Sequence, residues 1–225
     1  MLHALLMTAL ATTPVTLRPL PVDSPRTPAP MTQSVGASAC DDGTDGGTLV
    51  QGLGAYYGNR FVLDCASGRL TAVDFTYFGA GLAGPYSYRL HVLDNACREI
   101  GVTSVLSAAS AVDAPASAQV VLPEGGWCVG QAFAIVLEPL TCSDGAGGKD
   151  CFPALVVDAT SDTNPTVHCA VVSAETSIGR ECLAPRSADG RFFDFRLRAT
   201  VLCDAPGCIT PVAPVGWSHV KNLYR

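Results

Sequence analysis

Apolar and polar residues alternate with a period of two along much of this chain. Tyr86, Tyr88, Leu90 and Val92 alternate with Ser87, Arg89 and His91, and Val73, Phe75 and Tyr77 with Asp74 and Thr76. Near the end, Phe193, Phe195, Leu197, Ala199 and Val201 alternate with Asp194, Arg196, Arg198 and Thr200. Trp127, Val129, Phe133, Ile135 and Leu137 share one parity through a segment of otherwise small residues. Side chains of a strand point to opposite faces in turn, so this pattern predicts half-buried antiparallel strands with one packed and one wet face. On that reading Arg89, His91, Asp194, Arg196 and Arg198 are solvated, with weak cross-strand ion pairs if their strands adjoin. Trp127 is expected to pack beside Cys128.

Further strands are expected at 48–53, 58–64, 97–106, 117–122, 153–158 and 167–173. Turn signals stand between them at Gly58-Asn59, Ser67-Gly68, Gly84-Pro85, Asp94-Asn95, Glu124-Gly125-Gly126 and Asp189-Gly190. No 3.6-residue apolar stripe persists for three turns between 40 and 210, although Thr103–Ala118 has the composition for a helical turn. About ten short strands with frequent turns predict an all-β fold, an antiparallel sandwich of jelly-roll type.

The flanks differ. Leu2–Leu10 is a short apolar run whose end overlaps the small-x-small Ala9-Leu10-Ala11, so residues 1–11 read as an export signal. No Lys or Arg precedes that run, which makes it a poor signal or places the biological start upstream. Residues 12–39 hold Pro14, Pro19, Pro21, Pro25, Pro28 and Pro30 among Thr, Ser and Ala, an extended linker or arm. The sandwich domain spans 40–210. Pro211 and Pro214 then space off a short tail, 211–225. Ala37-Ser38-Ala39 before Cys40 lacks a lipobox aliphatic residue, and no later stretch reaches the ~18 apolar residues of a membrane span.

Ten cysteines, none in the first 39 residues and none in C-x-x-C spacing, are read as five disulfides in an oxidising compartment: Cys40, Cys65, Cys97, Cys128, Cys142, Cys151, Cys169, Cys182, Cys203 and Cys208. Closing a loop of about 15 residues is worth on the order of 3 kcal/mol, and the Gly- and Ser-rich stretches 141–152 and 174–190 read as loops in need of it. Proximity suggests Cys142–Cys151, Cys203–Cys208 and Cys169–Cys182. Cys40–Cys65 and Cys97–Cys128 follow by elimination, although about 945 pairings are open.

Charge narrows the partners. Charged residues are 15% of the chain, below the usual ~25%. The net charge is −6, but residues 1–39 carry +1 and 211–225 carry +2, so 40–210 carries −9. Nucleic acid needs a basic stripe and is not expected as a partner. Hard carboxylates in turns make calcium a candidate cofactor at Asp41, Asp42 and Asp45, and at Asp158, Asp162 and Asn164. Neither loop has the D-x-D-x-D-G order, so solvated turn carboxylates are the preferred reading. Tyr56, Tyr57, Asn59 and Arg60 in GAYYGNR have the side chains of a glycan platform, against the simpler reading of a tyrosine pair packed on a sheet edge.

Catalytic signals are sparse. His91 and His168 are the only histidines between 40 and 210, without metal spacing, and there is no G-x-S-x-G. Asp144–Lys149 glances at a phosphate loop but lacks the following Ser/Thr. In the tail, Trp217, Val220, Leu223 and Tyr224 fall at i, i+3, i+6 and i+7, a short amphipathic stripe beside Lys221 and Arg225. It reads as a recognition element or as a segment that docks on its own domain.

The strand Gly190–Ala199 resembles the closing G-x-F-x-x-R-A strand of secreted bacterial β-sandwich domains. The ending Trp217–Arg225 resembles the W-x-x-(I/V)-K-x-L-Y-R tails of exported proteins of environmental bacteria. This resemblance covers the final third of the chain. It implies a cell-surface accessory or structural protein with no catalytic residues and a tail used in sorting or surface attachment. The expected function is therefore a secreted or cell-surface, non-catalytic protein of adhesion, surface binding or extracellular assembly. Its partners would be a surface component, a glycan or identical subunits. The alternatives are a carbohydrate-binding module and a secreted hydrolase.

Overall fold

The computed structural model describes residues 16–19, 48–51, 56–79, 82–145, 148–157, 169–176, 179–183, 194–203, 205 and 207–208. In order, the strands are β1 (Thr16–Pro19), β2 (Thr48–Gln51), β3 (Tyr56–Phe78), β4 (Tyr86–Asp94), β5 (Glu99–Val102), β6 (Leu106–Ala108), β7 (Ala116–Val121), β8 (Trp127–Pro139), β9 (Thr141–Gly145), β10 (Gly148–Phe152), β11 (Ala154–Leu155), β12 (Ala170–Thr176), β13 (Gly179–Leu183) and β14 (Leu197–Cys203). Every pairing is antiparallel. A 3-10 turn at Pro123–Gly125 is the only helical element among the described residues, so Thr103–Ala118 holds no helical turn.

The main sheet runs β13-β12-β3-β8-β4-β5, with β6 on β4 and with β7, β11 and β14 on β3. Its organiser is β3, 23 residues long. The first half of β3 pairs with β12 and with the far end of β8; the second pairs with the near end of β8, then β7, β14 and β11. Its register on β8 breaks between Val62 and Ser67, where the strand bends from one half of the curled sheet into the other. Two expected strands and two expected turns are thus one bent strand. Gly58-Asn59 and Ser67-Gly68 are not turns, because extended glycine allows neighbouring strands a close approach. A Cβ on Gly68 would lie 2.5 Å from Val201 Cγ1 and 3.0 Å from Leu202 O.

The core fills the concave side of the curl, giving the sandwich. Phe61 stacks on Phe133 at 5.3 Å between ring centroids, Tyr57 on Phe195 at 5.8 Å, and Tyr77 meets Tyr86 edge-on at 6.2 Å. All the apolar positions that the alternation picked out in β3, β4 and β14 are buried there, from Val73 and Tyr86 to Val201. Trp127 packs on that core as expected, with its ring over Gly101. Burial pushes the Tyr88 phenol up to about 12, helped by Tyr77 beside it.

Four bridges are defined among the described residues: Cys65–Cys203, Cys97–Cys182, Cys128–Cys208 and Cys142–Cys151. Cys169 is also disulfide-bonded. Only Cys142–Cys151 matches the pairing expected from proximity, and it closes a β9–β10 hairpin rather than a loop. The hairpin likewise replaces the phosphate-loop likeness of 144–149. Cys203–Cys208, Cys169–Cys182, Cys40–Cys65 and Cys97–Cys128 are overturned, because sheet pairing brings together residues 138, 85 and 80 positions apart. The 174–190 stretch begins as a second hairpin, β12–β13.

Asn59 ties the halves of the sheet together. Fully buried, it donates from Nδ2 to Phe195 O at 2.8 Å and Leu197 O at 3.3 Å, and accepts at Oδ1 from Phe195 N at 3.1 Å. The amide thus serves the backbone entering β14, ahead of its pairing with β3. Asn59→Ala removes all three bonds from a fully buried site and is expected to lower stability by on the order of 3 kcal/mol, read from denaturant melts with the disulfides intact.

Candidate functional site

On the convex side of the sheet, four strands set polar residues side by side. Arg89 pairs with Glu138 and His91 with Val136 across β4–β8, while His91 faces Val102 and Leu93 faces Glu99 across β4–β5. Tyr56 opens β3 one position beyond the Tyr57↔Leu137 pair. The residues between them, Leu93, Ala134, Val136 and Val171, form a second small core, with Tyr56 and Cys182 packed against it. The sheet is therefore covered on both faces here. His91, expected on a wet face, is only 5% exposed.

The imidazole sits between two carboxylates. His91 Nδ1 lies 2.7 Å from Glu99 Oε2, and Nε2 lies 3.0 Å from Glu138 Oε2. The Tyr56 ring stacks on it at 4.7 Å and 17°, and the Tyr56 hydroxyl donates to Glu138 Oε1 at 3.0 Å. Arg89 completes the group, 3.5 Å from Glu138, with its guanidinium partly exposed. Each ring nitrogen thus has a carboxylate oxygen within hydrogen-bond distance, and Glu138 meets His91, Tyr56 and Arg89 at once.

Burial works to raise the Glu138 carboxyl. The hydrogen bonds from His91 and Tyr56 and the charges of His91 and Arg89 outweigh it and hold the group below its ordinary value of 4.5. A carboxylate with a lowered folded pKa contributes stability that is complete above its unfolded pKa and is lost as pH falls through the folded one. Glu138→Gln should therefore lower stability at neutral pH, and the gap from the parent should narrow below pH 4.5. Denaturant melts of parent and variant across pH 3–7 read this as the difference in their midpoints.

The β4–β5 turn locks one edge. Asp94 Oδ1 accepts from Ala96 N at 2.8 Å and Arg98 N at 2.9 Å, and Oδ2 from Arg98 Nε at 2.8 Å. Those bonds fix Cys97 at φ +62°, a conformation costly for a side-chain-bearing residue. Cys97 there reaches Cys182 of β13, so the two ends of the six-strand order are joined covalently.

Chemically this is a cross-strand clamp. General-base work needs one ring nitrogen turned to a substrate proton, and both nitrogens of His91 face carboxylates. Ser173, opposite Tyr56 and Cys182 in register, is buried with an unpartnered Oγ and makes no hydrogen bond to His91. Sequence reasoning missed Glu99 and Glu138 as its partners, since the pairing of β4 with β5 and β8 creates the group.

The glycan-platform residues do not converge. Tyr57 is in the core and Asn59 in its backbone clamp, while Tyr56 is on the opposite face, with Arg60 exposed. The charged residues of β4 and β14 are on strands that do not adjoin, and Asp194 is buried, accepting from the Cys169 amide. Asp41, Asp42, Asp45, Asp158, Asp162, Asn164, His168, Cys40 and the tail residues Trp217, Val220, Lys221, Leu223, Tyr224 and Arg225 lie outside the described residues. So do the export signal, the Asp189-Gly190 turn and the 12–39 linker apart from β1. Among the described residues, no three His, Cys, Asp or Glu side chains are placed to hold a metal, and no helix is long and apolar enough to cross a membrane. No protein family, curated protein or solved structure matches the chain.

Proposed function

We propose that the chain is a secreted or cell-surface, non-catalytic β-sandwich of extracellular assembly, surface binding or adhesion. The observation that carries this reading is how the cysteines are used. Bridges across 138, 85 and 80 residues stitch a curled sheet, and such a set forms and persists in an oxidising compartment. The His91 clamp supports it, since these polar groups hold strands together. A protein built for the exterior of a cell gains most from covalent ties where reduction and refolding machinery are absent. Within that class a filament or layer subunit is the specific form, with the arm at 12–39 or the tail at 211–225 engaging a neighbour.

The test is assembly of the full chain purified with its bridges intact. Polymers that dissolve in SDS, and that are lost on deleting residues 12–39 or 211–225, are expected. A chain that stays monomeric at every concentration and hydrolyses ester, peptide or glycoside substrates overturns the reading.

A further inference from the structure

The outer face of β7, the second half of β3 and β14 has a polar end and an apolar end. At the polar end Thr76 and Ser117 hydroxyls meet at 3.3 Å, and Gln119 Nε2 donates to Asp74 Oδ1 at 2.8 Å. One step along, Val121, Ala72 and Thr200 form a row across the three strands, and Leu202 stands beside Arg69 in the next. Val121 is 73% exposed and Leu202 50%. Two strand spacings, about 10 Å, separate β7 from β14. Single exposed apolar residues are ordinary; here two share one corner with Ala72 between them.

The last described part of the chain is fastened at the same corner. Cys128 is the register partner of Arg69 and bridges Cys208, and Ser67 Oγ donates to Cys208 O at 2.6 Å. Residues 209–225 follow directly. Trp217 is nine residues past Cys208, a reach of about 30 Å in extended chain, ample to cross three strands. The stripe of Trp217, Val220, Leu223 and Tyr224 is too short to be stable as a lone helix and needs an apolar surface to lie on.

We infer that residues 211–225 dock in cis on this corner, laying Trp217 and its stripe over Val121, Ala72 and Leu202. The Cys128–Cys208 bridge acts as the tether that holds the tail at high effective concentration over the face. An outside receptor for the tail then competes with the domain, and binding requires release from this face. The inference opposes the form of the assembly reading in which the tail engages a neighbour, and leaves contacts made by the 12–39 arm untouched.

Trp217 is the reporter, because Trp127 is the only other tryptophan. In full-length Trp127→Phe protein, acrylamide quenching of Trp217 is compared with the same chain carrying Val121→Asp and Leu202→Asp. Both positions are outside the core, and Val121→Gln with Leu202→Gln is the milder second variant. Docking predicts a blue-shifted emission and a quenching constant at least about twofold lower than in either variant, unchanged by dilution. Equal quenching in parent and variants overturns the inference. So does protection that appears only as protein concentration rises, which would place the tail on a second copy.

Discussion

Removing the Cys65–Cys203 bridge, as Cys65→Ala with Cys203→Ala, is expected to lower the unfolding free energy by about 3–4 kcal/mol. An isolated cross-link over its separation of 138 residues would constrain the unfolded chain by about 5 kcal/mol. The remaining bridges overlap that loop and shorten it, so less is lost. The structural reason for the size is its place: it ties the bend of β3 to the end of β14, where Cys203 pairs with Gly68. The same double substitution at Cys142 and Cys151, over a separation of 9, should cost about 2–3 kcal/mol. Denaturant midpoints of the two variants, measured without reductant, test that order.

Gly58→Ala should be at least as damaging, by about 4 kcal/mol or more. A Cβ on Gly58 would lie 1.9 Å from Ile135 O and 2.9 Å from Val136 Cα, both backbone atoms of β8. No rotamer relieves a clash with backbone, so β3 and β8 must part where Tyr57 pairs with Leu137. That pairing also sets Tyr56 over His91, and the substitution should loosen the clamp. Gly125→Ala is the comparison: a Cβ there meets nothing within 4 Å, and only the φ of +78° is unfavourable. Its expected loss is about 1 kcal/mol. A Gly58→Ala protein as stable as Gly125→Ala would contradict the close approach of β3 and β8.

The β class was legible because alternation reports a face directly, as in Tyr86 to Val92 and Leu197 to Val201. What alternation misses is a sheet covered twice. His91 read as wet because its neighbours in β4 were apolar, yet the burial of Leu93 and Val136 at the same parity shows the second cover. The run Ala132–Leu137, apolar at both parities, was the available signal. Gly58 and Ser67-Gly68 read as turns because glycine marks both a turn and a close strand approach, and only the neighbouring strand distinguishes them. The bridges were illegible for a related reason. Sequence proximity predicts a hairpin bridge such as Cys142–Cys151, whereas Cys97 meets Cys182 only after the sheet has curled its ends together. The sugar platform failed on parity, since Tyr56 and Tyr57 are adjacent and point to opposite faces.

The central claim is a sheet curled and stitched by long-range bridges in an oxidising compartment. It is tested most directly by mapping the disulfides of protein taken from its native source, alkylated before a non-reducing digest. Cys65–Cys203, Cys97–Cys182, Cys128–Cys208 and Cys142–Cys151 are the predicted linked peptides. Alkylated free thiols at those positions would contradict the oxidising compartment, and near-neighbour links such as Cys203–Cys208 would contradict the fold.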